Sequence, residues 1–204
     1  MKMIDKFIFV PFFAALLAFS HYAAASAWDE SLRLESLAQY TSALAVMETI
    51  VKEEPNNEYA NLRVAWLSYL SGKHSQSIKY YQKALSLNDK SLDAQVGLLL
   101  PLLAQSRWVE VEMKAKRTLS AAPWNYYAHI RLMIAEEALG KWQTLSLHTQ
   151  EAHHRFPSDV TVLVYQARAH RWLKEVKKAK QAYAQVLRRY PGHIEALQFL
   201  AETY

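Results

Sequence analysis

The sequence predicts an all-α solenoid of about five 34-residue helix–turn–helix units, closed by one further helix. Three observations predict it. Pro55, Pro123, Pro157 and Pro191 fall on one 34-residue grid, and Asp89 holds the slot that lacks a proline. Two residues past successive grid points stand Asn57, Ser91, Asn125 and Asp159, types whose side-chain oxygen accepts a bond from an orphaned N–H at a helix start. Other slots keep the same step. A small residue recurs at Ala60, Ala94, Ala128 and Ala196, with Val162 in the remaining place, and a ring at Tyr40, His74, Trp108 and Trp142, with Val176 in the fifth place. A chain that repeats at this period is an array whose units bury their apolar faces against their neighbours.

Taken in order, residues 1–27 read as a secretory signal peptide. Lys2 and Lys6 begin it, Phe7 to Phe19 form an apolar run of 13 residues, and Ala25-Ser26-Ala27 offers a cleavage site before Trp28. That run is shorter than the roughly 20 residues a membrane-spanning helix needs. A periplasmic or secreted protein is expected, with cleavage after Ala27 and no integral membrane span afterwards. An uncleaved N-terminal tether is the alternative.

The first unit, 28–57, places Trp28, Leu32, Leu34 and Leu37 in one helix and Ala43, Leu44, Met47, Ile50 and Val51 in the next. Units follow at 58–91, 92–125, 126–159 and 160–193, and residues 194–204 supply a capping helix. The mid-unit turn carries Gly72 and Gly140, with Ala38, Ser106 and Lys174 in the other units. Residues 28–204 are expected to form one repeat domain without a linker. Pro101 lies inside the first helix of unit three, where its missing N–H should bend the helix or shift its boundary.

These slots resemble the tetratricopeptide repeat (TPR). Ala65, Gly72, Ala84 and Leu85 match that family's pattern in the second unit, Gly140, Trp142, Ala152 and Pro157 in the fourth, and Ala167, Ala179, Tyr183 and Pro191 in the fifth. The small slot of the second helix departs from it at Ser77, Val111 and Leu145, while Ala43 and Ala179 keep it. The resemblance implies a right-handed α-solenoid that binds proteins and is not an enzyme. It further implies that the first helix of each unit lines an inner groove. The groove-facing positions are then Tyr59, Leu62, Trp66 and Tyr69; Val96, Leu100 and Leu103; Tyr127, Ile130 and Ile134; and Val164, Arg168, Arg171 and Trp172. Their spacings of three and four put each set on one helical face.

An apolar strip of that size points to an apolar or amphipathic partner segment, with Arg168 and Arg171 offered to an acidic group. The family's carboxylate clamp needs Lys and Asn at inner positions. Leu62, Trp66, Val96, Leu100, Ile130 and Ile134 stand there instead, which argues against that mode. Trp124 follows Pro123 in a turn, where it either anchors a partner or packs across the turn. Trp108 and Trp142 occupy a recurring slot and read as core.

Charge is uneven. The first unit sets six acidic residues against Arg33 and Lys52, and the fifth sets eight lysines and arginines against Glu175 alone. The net charge of +5 conceals this asymmetry. It reads either as solvated helix faces or as a docking surface, including one between copies of the chain.

Catalysis finds no support in the motifs. The chain has no cysteine, no Gly-rich phosphate loop, no G-x-S-x-G and no H-E-x-x-H. His148, His153 and His154 lie at spacings that do not put two imidazoles on one face, so they read as surface histidines, as do His170 and His193. No metal, no cofactor and no nucleic-acid partner is expected. The readings carried forward are a scaffold for a cell-envelope complex and a self-associating array that docks acidic unit one on basic unit five. A carbohydrate-binding or enzymatic module is suggested only by 6 Trp and 12 Tyr.

Overall fold

The 34-residue grid becomes eleven helices among residues 26–203, which are those the computed structural model describes. No strand occurs among the described residues. The described part of α1 covers residues 26–36. The second helices are α2 (Tyr40–Glu53), α4 (His74–Leu87), α6 (Trp108–Ala121), α8 (Trp142–Arg155) and α10 (Val176–Arg189). The first helices are α3 (Glu58–Leu70), α5 (Leu92–Ala104), α7 (Tyr126–Ala138), α9 (Val160–Trp172) and α11 (Ile194–Glu202). This is the expected all-α helical-repeat class. The proposed signal peptide falls almost wholly outside the described residues, and no helix among those described is long and apolar enough to cross a membrane.

The repeated slots show why each helix begins and ends where it does. Asn57, Asn125 and Asp159 accept a bond from the backbone N–H three residues on, as a cap should. Ser91 makes no such bond, and His193 does the work at α11 through Nδ1. The mid-unit turns reverse through a left-handed residue in every unit: Ala38 (φ 57°), Gly72 (73°), Ser106 (56°), Gly140 (67°) and Lys174 (62°). Three of these carry a Cβ in a region that favours glycine.

Small residues let the helices approach. Ala60, Ala94, Ala128, Val162 and Ala196 are all fully buried. The departures from a small second-helix slot are tolerated, since Ser77, Val111 and Leu145 are buried as completely as Ala43 and Ala179. Ser77 settles its hydroxyl by donating to the Ala65 carbonyl at 2.8 Å. Pro101 does not shift the helix boundary: α5 runs through it and has 13 residues, like α3, α7 and α9.

The chain divides into two compact units between Asp89 and Lys90. In the N-terminal unit, Leu44, Met47, Ile50, Val64 and Leu67 of α2 and α3 form the core. In the C-terminal unit, α7 lies against both α5 and α9, whereas the backbones of α6, α8 and α10 do not approach one another closely. The first helices α5, α7 and α9 therefore form a contiguous layer there, and the second helices splay apart.

Candidate partner-binding surface

Exposure decides which predicted positions could meet a partner. In the C-terminal unit, Tyr127 is 61% exposed and Trp172 58% exposed, and Arg171 is also open to solvent. Leu100, Leu103, Ile130 and Ile134 are half-buried, each with part of its apolar side chain uncovered. Val96 and Val164 are buried and present little surface. In the N-terminal unit Tyr59 is 71% exposed, and Leu62, Trp66 and Tyr69 are half-buried. Trp66 is also tied down, because its indole N–H donates to Glu35 at 2.7 Å and its ring stacks on Tyr69. Glu35 in turn pairs with Arg63.

The arginine pair expected at one end of the strip does not exist as a pair. Arg168 is engaged by two carboxylates from neighbouring first helices: Glu195 on α11 at 2.7 Å and Glu137 on α7 at 3.3 Å. The Tyr183 hydroxyl also donates to Glu195, at 2.5 Å. Hydrogen bonding to Glu195 raises the Arg168 guanidinium still further, against the opposing effect of burial. Burial would raise Glu195, but bonds from Arg168 and Tyr183 outweigh it and hold the carboxyl low. Burial wins at Glu137, which is raised despite Arg168. Sequence reading missed this cluster because its members lie 27 and 31 residues apart and show no periodicity on any one helix. Arg171 borders the same cluster: its guanidinium lies over the Phe199 ring at 5.4 Å and bonds to the Tyr183 hydroxyl, while part of the side chain stays open to solvent.

The histidines also need correction. His148 is not a surface residue; its side chain is only 11% exposed. It joins a buried chain in which Pro123 O, His129, His148 and Glu136 follow one another at 3.0, 2.9 and 2.8 Å. The Pro123 carbonyl can only accept, so His129 Nε2 carries a proton and, in neutral His129, Nδ1 accepts from His148 Nε2–H. The His148–Glu136 contact then needs one proton on one side or the other. Burial holds His129 below its ordinary value, which fits the neutral ring.

One signal for this chain was in the grid. Asn61, two repeats earlier than His129, donates to the Pro55 carbonyl at 3.1 Å in the same way. A polar residue six places after a grid proline satisfies that carbonyl. In the fifth unit this slot is Leu163, and Arg189 reaches the Pro157 carbonyl instead, at 3.0 Å. His170 is likewise half-buried, at 2.6 Å from Glu175.

Two aromatics fall differently from one another. Trp142 is half-buried and stacks on Trp172 with centroids 4.9 Å apart. Trp124 is 67% exposed, with the Arg155 guanidinium over its ring at 4.1 Å. No group of three or more potential metal ligands occurs among the described residues.

Models of the tetratricopeptide repeat match residues 59–91 and 161–193. Among solved structures, the chain is similar to MamA from Desulfovibrio magneticus RS-1, with 15% identity and a TM-score of 0.77 over 84% of this chain and 97% of that one. YrrB, described as a TPR protein with an unusual peptide-binding site, is 13% identical with a TM-score of 0.74, over 95% and 99% of the two chains. TTC0263, a thermophilic TPR protein of Thermus thermophilus, is 15% identical with a TM-score of 0.63, over 87% and 97%. No curated protein matches the chain.

Proposed function

Since the chain belongs to the tetratricopeptide-repeat family, we propose that it is a non-enzymatic scaffold of the cell envelope, which receives an apolar or amphipathic segment of a partner protein. The observation that carries this reading is the first-helix layer of the C-terminal unit. Tyr127, Leu100, Leu103, Ile130 and Ile134 leave apolar surface uncovered there, and Trp172 and Arg171 stand at its α9 end. Such a strip gains from burying an apolar helix face, at about 25 cal/mol for each Å² removed from water. Peptide binding by YrrB, on the same fold, is in keeping with this. Export to the periplasm is supported by the charged start, the 13-residue apolar run and the Ala25-Ser26-Ala27 site.

The test uses Tyr127→Ser combined with Ile134→Ser. The double variant should keep the wild-type circular dichroism and lose the partner captured by the wild-type protein from envelope extract. Capture at the wild-type level would contradict the reading. N-terminal sequencing of the mature protein from the periplasmic fraction should begin at Trp28; a chain beginning at Met1 would exclude cleavage.

A second reading is head-to-tail self-association, favoured by the acidic first unit, the basic fifth and the surface of α11. There Ile194 is 70% and Leu197 47% exposed. Sedimentation velocity at low and high salt tests it: a monomer under both conditions removes it.

A further inference from the structure

Away from the first-helix layer, the splayed second helices leave a cleft of about 340 Å³ between α8 and α10, with α9 as its floor. Its lining is unusually rich in carboxamides: Gln143 and Gln150 on α8, Gln166 on α9, and Gln181 and Gln185 on α10. None of these five amides bonds to another protein group among the described residues. The charged members of the lining neutralise each other, since Glu175 is 2.6 Å from His170 and 2.9 Å from Lys178. One repeat earlier the corresponding region carries charge instead, with Glu112 held between Lys116 at 2.7 Å and Lys141 at 2.6 Å.

We infer that this amide-lined cleft is a binding site for an extended, uncharged peptide segment, recognised through its backbone. Each carboxamide offers N–H donors and a carbonyl acceptor, so it can bond both to the C=O and to the N–H of a peptide unit. Within the cleft the charges balance, so its lining offers a ligand hydrogen bonds rather than an unpaired ion. Gln143 and Gln150 are seven residues apart, or about 10 Å along a helix, which matches about three residues of extended chain. Leu147, exposed on the same face of α8, gives one peptide side chain an apolar contact. The lining contains no aromatic ring other than His170 on which a sugar could stack, which sets a peptide ahead of a glycan. The site is separate from the first-helix strip and does not depend on it.

The experiment is an NMR titration of the full chain, following glutamine side-chain amides. The probe is an acetylated, amidated hexapeptide of alternating Ser and Ala. Resonances of Gln143, Gln150 and Gln181 should move while those of Gln76 and Gln198 stay. Methylating alternate peptide nitrogens, or introducing Gln150→Leu with Gln181→Leu, should weaken binding at least tenfold. Leu100→Ser, on the other surface, should leave the titration unchanged. Absence of shifts at millimolar peptide, undiminished binding of the methylated peptide, or shifts produced only by chitotetraose would each overturn the assignment.

Discussion

The fourth and fifth repeats share one backbone plan and fill it with opposite chemistry. In the fourth, His129 and His148 meet inside the unit and hand their bonding on to Glu136. Thirty-four residues later the slots of His129 and His148 hold Leu163 and Ala182, both buried in an apolar cluster with Tyr183 and Val186. The fifth repeat instead places its polar groups at the first-helix layer, where Arg168 links Glu137 and Glu195. The difference teaches that the grid dictates helix ends and close approaches, while the slots between them are free to hold either a polar chain or a greasy one. A polar interior is costly unless its members are partnered, as those of the His129–His148–Glu136 chain are.

The largest break of this comparison is Glu136→Ala, which leaves the His148 end of the buried chain without its partner. It should cost about 3–5 kcal/mol in urea unfolding. Glu136→Gln should restore most of that loss, because an amide N–H can donate to His148 Nδ1 and leave both rings neutral; equal damage from both changes would refute the proton accounting. Next comes Arg168→Ala, which strands two half-buried carboxylates and should cost about 1.5–3 kcal/mol. The matching effect of Glu195→Gln should be smaller, since Arg168 keeps Glu137.

Acid should affect the fourth repeat more than the fifth. Burial lowers His129 from 6.5, with His148 and Arg155 adding to the effect and the Pro123 carbonyl opposing it. The unfolded chain therefore binds a proton that the fold excludes. Stability is complete above about pH 6.5 and is lost as pH falls below it. His153 is also lowered by burial and contributes in the same direction. The variant His129→Leu with Glu136→Leu and His148→Ala, which gives positions 129 and 148 the residues of the fifth repeat and removes the carboxyl they would strand, should flatten the pH profile. An unchanged profile would mean that other groups govern it. The smallest effect is at a turn: Lys174→Gly should raise stability by about 1 kcal/mol by relieving a left-handed lysine, read as an increase in melting temperature.

Much of the fold was legible because punctuation is local. The slots at 40, 74, 108, 142 and 176 are the first residues of α2, α4, α6, α8 and α10, and the caps place α3, α7 and α9 one residue after Asn57, Asn125 and Asp159. Burial along each first helix followed from spacing, although Val96 and Val164 proved to be interior. What spacing could not reveal was pairing between helices. Arg168 looks like a free groove cation until Glu137 and Glu195 are brought beside it from separate repeats. His148 looks like one of three surface histidines until the fold turns it toward His129. Ser91 looks like a cap but makes no capping bond, since composition alone does not set a rotamer.

The central claim is that the first-helix layer of the C-terminal unit receives the apolar or amphipathic partner segment, independently of the amide-lined cleft between α8 and α10. Site-resolved photocrosslinking in the native envelope tests it most directly, with a photoreactive phenylalanine placed at Tyr127 on α7 or at Met113 on α6, two sites each 61% exposed. The account predicts a crosslinked partner from position 127 and none from position 113. The same partner captured from 113 and not from 127 would contradict it.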